Sequence, residues 1–323
     1  MLKNAKVLVA GGTGFIGVNL IQRLLSLGCQ VRATLHKRPA VIDSSAIEYV
    51  HADLTSLEDC HRVAEGVDYV FMLSACTAGA AVMAKTPLVQ VTPNVVMNAQ
   101  MLEAAYQAKV KKFLFVSSSA AYPPTGDRPV TEAEMFDGDP YEVYYSVGWM
   151  KRYAEILCKI YAQKIKNPMP TVIVRPSNIY GPYDKFDFGT SHVTAALIRR
   201  VVERQNPFEV WGTGKDIRDL IYIDDFLDGM LLAFEKTETH TAVNIASGVG
   251  HSIEQILQTI LEVDGYTDAD LRFDPSKPTT IPVRLIDTTL AKESLGFQPQ
   301  ISLREGLRRT IEWYRDRASV WTK

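Results

Sequence analysis

The segment Gly11-Gly12-Thr13-Gly14-Phe15-Ile16-Gly17 follows the apolar run Lys6–Ala10 and opens an amphipathic stretch at Phe15. Glycines at this spacing let a strand turn sharply into a helix and let backbone amides approach a pyrophosphate. The amides and dipole at the helix N-terminus then stabilise the anion. Gly11, Gly14, Phe15, Ile16 and Gly17 are therefore the expected dinucleotide-binding turn.

The first half of the chain repeats the same alternation. Strand candidates at Gln30–Leu35, Tyr69–Leu73, Phe113–Ser117 and Thr171–Arg175 are separated by helical stretches starting near Leu57, Pro93 and Gly148. The pattern predicts an α/β fold, a doubly wound Rossmann-type parallel sheet covered by helices on both faces. After Pro176 come loops rich in Gly, Pro and Asp, a helix over Ser191–Arg204, strand then helix over Asp219–Phe234, a short strand at Asn244–Ser247 and a final helix over Leu303–Arg315. We expect a dinucleotide-binding domain over residues 1–178 plus about 215–240. A smaller mixed α/β substrate domain is expected over about 179–214 plus 241–323.

A chain of 323 residues, 46% of them hydrophobic, can bury a sizeable core. Its formal net charge of −2 supplies no global field for nucleic acid or an anionic membrane, so an anionic ligand must be held by local groups. No export signal precedes the first strand, and no apolar run reaches the length of a spanning helix, so a soluble, cytoplasmic protein is expected. Cys29, Cys60, Cys76 and Cys158 form no CxxC pair, which points to buried thiols rather than a metal site or disulfide framework.

At the end of the second strand an acidic residue would grip a ribose hydroxyl of NAD. The sequence there is Thr34-Leu35-His36-Lys37-Arg38. His36 and Arg38 can instead pair with a 2′-phosphate, which favours NADP over NAD.

Together with Asp53-Leu54, Leu73-Ser74-Ala75-Cys76, Arg175-Pro176-Ser177-Asn178-Ile179-Tyr180-Gly181-Pro182 and Arg218-Asp219-Leu220-Ile221-Tyr222, these features resemble the extended short-chain dehydrogenase/reductases over essentially the whole chain. This is the nucleotide-sugar epimerase, dehydratase and reductase group. The resemblance implies that Asp53 and Leu54 contact adenine, that Leu73 and Ala75 lie beneath the cofactor, and that Asn178 and Arg218 contact a nucleotide-diphosphate sugar. Ser191-His192-Val193, Ala196 to Arg200, and the tail from Lys277-Pro278 through Arg284 to Asp287 look closest to the GDP-fucose synthase branch. That likeness implies Arg200 and Arg284 near the nucleotide sugar and His192 as a candidate acid. Relatives commonly form homodimers through the helix carrying Lys151 and the one over about Pro93–Ala108.

The family's chemistry uses a Ser or Thr after the fourth strand and a Tyr-x-x-x-Lys on the next helix. By that resemblance Ser118 orients the substrate hydroxyl, with Ser119 beside it, and Lys151 binds ribose and lowers the phenol pKa. Four residues before Lys151, however, stands Val147, which has no proton to exchange. Tyr145 is displaced two residues from that position, roughly 200° around a helix, and serves only if the helix starts late. The proton is left to Tyr145, His192 or water. Ser119 and Ala120 stand where dehydratases carry an acidic pair and GDP-fucose synthase a Cys. The expected reaction is therefore oxidation or reduction at C4, with a GDP-linked hexose or heptose as the candidate substrate and 4-epimerisation as the neighbouring alternative. A catalytically weak dinucleotide-binding sensor or scaffold is the alternative of another class.

Overall fold

Alternate residues of the central strands feed two cores on opposite faces of one sheet. Val7 and Val9 enter one core and Leu8 and Ala10 the other, and Leu114 and Val116 are likewise divided from Phe113 and Phe115. Strands buried on both sides read as continuous apolar runs, as parallel strands under helices must. A computed structural model describes residues 1–77, 86–188, 191–277 and 279–321. Pro278 of the tail match lies outside the described residues.

The strands are β1 (Lys6–Ala10), β2 (Gln30–Leu35), β3 (Ile47–His51), β4 (Tyr69–Met72), β5 (Lys112–Val116), β6 (Thr171–Pro176), β7 (Asn178–Tyr180), β8 (Phe208–Trp211), β9 (Ile217–Tyr222), β10 (His240–Ile245), β11 (Gly250–Ser252), β12 (Leu271–Asp274) and β13 (Val283–Arg284). The helices are α1 (Phe15–Ser26), α2 (Leu57–Ala64), α3 (Leu88–Gln107), α4 (Tyr145–Gln163), α5 (Val193–Val202), α6 (Ile223–Lys236), α7 (Ile253–Asp264) and α8 (Leu303–Trp321).

Seven strands form a parallel sheet in the order β3-β2-β1-β4-β5-β6-β10. Buried residues of α1 and α6 cover one face, and those of α2, α3 and α4 cover the other. This is the doubly wound, Rossmann-type sheet expected from sequence, and the order reverses between β1 and β4, where such folds open their ligand crevice. Strand β10 begins at the point assigned to the second unit, so residues 240–245 belong to the main sheet. The second unit gathers β7, β11 and β13 around β9, pairs β8 with β12, and packs α5, α7 and α8 over them. Only Ser177 separates the last residue of β6 from the first of β7.

The helix expected over Ser191–Arg204 is the shorter α5, and two helix starts in the main sheet's layers also differ from expectation. Helix α3 begins at Leu88 rather than near Pro93, and proline is tolerated inside it because the carbonyl that loses its helical donor, that of Val89, accepts from the Cys76 thiol at 3.4 Å. Helix α4 begins at Tyr145 rather than near Gly148, directly after the 3₁₀ turn Glu142–Tyr144. No helix among the described residues is long and apolar enough to cross a membrane.

Candidate active site

The glycine turn is in backbone contact with its surroundings, which is why side chains are excluded from it. A Cβ on Gly11, whose φ is +94°, would lie 2.8 Å from the Ser74 amide nitrogen, and one on Gly17 would lie 2.1 Å from the Gly11 carbonyl oxygen. The Gly11 amide donates to Thr34 Oγ1 at 2.8 Å, tying the turn to β2. Helix α1 has no side-chain cap and no acidic residue in its first turn, so its leading amides face an anion without competition.

The floor beside this turn is the loop after β4. Leu73 is half-buried and Ala75 exposed, while the buried Asn94 of α3 donates to the Cys76 carbonyl and accepts from the Cys76 amide, both at 2.9 Å. Cys29, Cys60 and Cys158 are buried as expected, but Cys76 is exposed because this clamp holds its backbone at the rim. His36 and Arg38 are exposed beyond β2. Asp53 is also exposed, accepting from the Thr55 hydroxyl and amide, which hold its carboxyl below the usual range; Leu54 beside it is buried. Lys185 reaches from the second unit to the Thr77 hydroxyl, and burial, with the charge of Arg38 adding to it, lowers its pKa. A glycine cradle, an open helix head and a cationic rim together fit a dinucleotide.

At the end of β5 the Ser118 Oγ accepts from the Ala120 amide at 3.1 Å, capping the 3₁₀ turn Ser119–Ala121; Ser118 is half-buried and Ser119 buried. Lys151 donates to the Val116 carbonyl at 2.8 Å and sits 4.7 Å over the Phe115 ring. Burial pushes its pKa down to about 8, opposed by the nearby Glu155 carboxylate. Val147 lies one turn before Lys151 on the same face of α4. Tyr145 does not join them. It is 50% exposed, its ring set against Trp149, and the early start of α4 removes the late-helix geometry that a catalytic Tyr145 required.

Sequence reasoning passed over the charged network beneath this site. Glu155 takes three hydrogen bonds from the Arg175 guanidinium and one at 2.5 Å from Ser117 Oγ. Arg175 also donates to the Tyr122 hydroxyl, which donates to Asn244 Oδ1 at 2.7 Å. The buried Arg152 holds the Ala121 and Gly138 carbonyls. The available signal was Glu155, a carboxylate one turn after Lys151 among the apolar residues Ala154, Ile156, Leu157 and Cys158.

The second unit brings Arg218 and Arg284 together as register partners on β9 and β13, both buried. Arg218 donates to Thr280 Oγ1 and to the Ile217 carbonyl, each at 2.8 Å. Arg284 donates to the Pro123 and Tyr122 carbonyls at 3.0 and 3.1 Å, and burial brings its pKa down to about 10. Asn178 opens β7 half-buried, beside Leu220 of β9. Arg200 is turned toward the Glu209 carbonyl at 2.6 Å and lies 5.4 Å over Phe188. His192 caps α5 and contacts the buried Asp184 at 3.1 Å; the Asp184 carboxylate raises its pKa. Neither His192 nor Arg200 makes a hydrogen bond to Ser118 or Lys151 among the described residues.

Comparison with known proteins agrees with this geometry. The profile of the NAD dependent epimerase/dehydratase family matches residues 7–246. A probable GDP-L-fucose synthase of Oryza sativa subsp. japonica is 31% identical over 324 residues, spanning 97% of this chain and 92% of the relative. The GDP-L-fucose synthase of Escherichia coli K12 is 31% identical, spanning 97% of each chain. Among solved structures, the UDP-glucose 4-epimerase of Thermotoga maritima, crystallised with UDP-glucose, superposes with a TM-score of 0.87 at 27% identity, over 97% of this chain and 99% of that one. The chain belongs to the NAD-dependent epimerase/dehydratase family of extended short-chain dehydrogenase/reductases.

Proposed function

We propose that this protein oxidises or reduces C4 of a nucleotide-diphosphate sugar, on a GDP-linked hexose or heptose, with a nicotinamide dinucleotide taking or giving the hydride. The observation that carries the reading is Lys151, seated on the Val116 carbonyl at the mouth of β5 beside the Ser118 turn. Gly11, Gly14, Phe15, Ile16 and Gly17 would hold the pyrophosphate, with Leu73 and Ala75 beneath the cofactor and Asp53 and Leu54 beside the adenine. His36 and Arg38 favour NADP. Asn178, Arg218 and Arg284 would hold the sugar diphosphate, for which paired guanidinium forks suit phosphate oxygens. The cytoplasm is the compartment that supplies both ligands.

Incubating the protein with GDP-, UDP-, CDP- and dTDP-sugars, while following the reduced-nicotinamide absorbance and analysing the products, tests this directly. Lys151→Met is expected to cut turnover by about 10²–10⁴-fold. The Lys151 charge is lost as pH rises through about 8, so wild-type turnover should fall across that value. Because the folded state releases this proton before the unfolded state does, stability should rise between pH 8 and the ordinary lysine value; Lys151→Met should lack that rise. Product conversion without net absorbance change would favour the 4-epimerase. Bound dinucleotide with no conversion of any sugar would favour the sensor reading, to which Val147, standing where the family places its phenol, lends support.

A homodimer is part of the same reading. Tyr145, Trp149, Tyr153, Ile156 and Ile160 are 38–50% exposed and recur every three or four residues along one face of α4. An apolar stripe of this kind on a surface helix is an interface awaiting a partner, and α3 packs beside it. Trp149→Glu with Tyr153→Glu is expected to give a monomer by light scattering with dinucleotide affinity retained. An unchanged mass, or a monomeric wild type, excludes this interface.

A further inference from the structure

The proposed reaction needs a group that accepts and returns a hydroxyl proton, and neither Val147 nor the solvent-facing Tyr145 is placed to do so. We propose that Tyr144 is the catalytic acid/base of this chain, an inference that rests on the oxidoreductase reading above.

The 3₁₀ turn Glu142–Tyr144 runs straight into α4, with the Tyr144 amide donating to the Tyr141 carbonyl at 2.7 Å. Tyr144 precedes Val147 by three residues, Gly148 by four and Lys151 by seven. On a continuing helix these spacings place Val147, Gly148 and Lys151 each within about 60° of Tyr144, with Gly148 and Lys151 on the same face. The direction of that face is fixed at Gly148, where a Cβ would lie 3.2 Å from the Ala120 carbonyl oxygen and 2.6 Å from Pro140 Cβ. Helix α4 therefore meets the turn capped by Ser118 at this point, and Tyr144 stands one helical turn above the contact. Tyr144 is half-buried, in contrast to its exposed neighbour Tyr145.

A cation stands on the other side. Arg284 reaches beneath the same loop to the Tyr122 and Pro123 carbonyls, and its Nε is buried without a hydrogen-bond partner among the described residues. The Tyr144 and Tyr122 phenols both lie near enough to act on this guanidinium. Tyr144 thus opens the face of α4 that carries Lys151, at the end of the helix that meets the Ser118 turn, with Arg284 holding the far side of that loop.

In the oxidative direction the sugar O–H bond breaks and its proton passes to the Tyr144 phenolate oxygen. The carbon-bound hydrogen leaves with its electron pair to the oxidised nicotinamide as the C=O bond forms. In the reductive direction hydride from a bound reduced nicotinamide would form the C–H bond as the C=O bond opens to an alkoxide, and the Tyr144 O–H bond breaks to give that oxygen its proton. The Ser118 hydroxyl orients the reacting oxygen, and Lys151, two turns along the same face, holds positive charge beneath it.

The test compares wild type, Tyr144→Phe, Val147→Tyr and the double variant Y144F/V147Y. Turnover on the sugar panel, dinucleotide Kd by calorimetry and melting temperature are read for each. Tyr144→Phe is expected to lower turnover by about 10²–10⁴-fold with dinucleotide Kd and melting temperature unchanged. Val147→Tyr should restore activity in that background, since it returns a phenol to the face of Lys151. A Tyr144→Phe variant as active as wild type overturns the assignment while leaving the oxidoreductase reading intact. A loss of turnover accompanied by weaker dinucleotide binding and a lower melting temperature likewise overturns it, since that pattern marks a packing role. An inactive wild type with an active Val147→Tyr variant also overturns the assignment, and would show a competent site silenced at position 147. Inactivity of both on every sugar overturns the assignment and the oxidoreductase reading together.

Discussion

Glu155→Ala is expected to lower the free energy of unfolding by about 3–5 kcal/mol, the usual result of removing one partner from a buried ion pair. Glu155 and Arg175 are both almost fully buried, and the carboxylate takes three hydrogen bonds from the guanidinium and a fourth from Ser117. Truncation leaves a guanidinium in the core with, among the described residues, only the Tyr122 hydroxyl and the Glu132 carbonyl as hydrogen-bond partners. Urea denaturation followed by circular dichroism measures the loss, and a change below about 1 kcal/mol would show that the pair does not hold the core together. Glu155→Gln offers a second reading on the same residue. The carboxylate raises the Lys151 pKa against burial, so its removal should move the alkaline limb of activity below pH 8. An unmoved limb would separate Glu155 from the lysine.

Gly17→Ala carries the second large effect. Its new Cβ would fall 2.1 Å from the Gly11 carbonyl oxygen, a clash between α1 and the turn that no rotamer relieves. Either the helix moves outward or the turn opens, and either displaces the amides that face the pyrophosphate. Overpacking of this kind costs about 1–3 kcal/mol or more, which should appear as a loss of dinucleotide affinity of about 10–100-fold. Gly14→Ala is the informative comparison, because its Cβ would lie 3.3 Å from the same oxygen at an ordinary φ of −83°. Calorimetric titration with NADP and NAD should rank wild type, Gly14→Ala and Gly17→Ala in that order. Equal affinity for wild type and Gly17→Ala would mean that the dinucleotide is held elsewhere.

The doubly wound sheet was legible because parallel strands buried on both faces leave apolar runs bounded by glycine. Strands β1 and β2 occupy the ranges expected, β4 and β6 differ by one residue at one end, and β5 is shifted by one residue at both ends. Edge strand β3 carries Glu48 and a mixed burial pattern, so it left no such run and was missed. The short strands β8, β11, β12 and β13 have two to four residues each, too few for a periodicity to show. Their pairing is decided by the packing of α5, α7 and α8 around them rather than by their own composition.

The candidate site was legible where a residue is marked by backbone geometry or by one fixed charge. The glycine turn, Ser118, Lys151, Arg218 and Arg284 all lie around the carboxyl ends of the main strands or on the sheet beside them. It was illegible where function depends on where a helix begins. Tyr144 and Tyr145 are adjacent tyrosines in the sequence, and the 3₁₀ turn running into α4 leaves Tyr144 half-buried and Tyr145 on the surface with Trp149. Likewise, nothing local marks Glu155 and Arg175 as partners twenty residues apart on different elements.

The single residue between β6 and β7 has a mechanical consequence. With only Ser177 joining the sheet that carries the dinucleotide turn to the sheet that carries Arg218 and Arg284, the molecule has no elbow at this joint. A second tie lies nearby, where the buried Asp219 of β9 accepts from the Ser247 amide and hydroxyl and from the Gly248 amide just past β10. The two proposed ligand halves are thus mounted on one chassis, and the span between the glycine turn and the Arg218–Arg284 pair is expected to be set when the chain folds rather than when a substrate arrives. Entry of the sugar must be managed by the connecting loops at the rim, while the frame beneath them keeps its span.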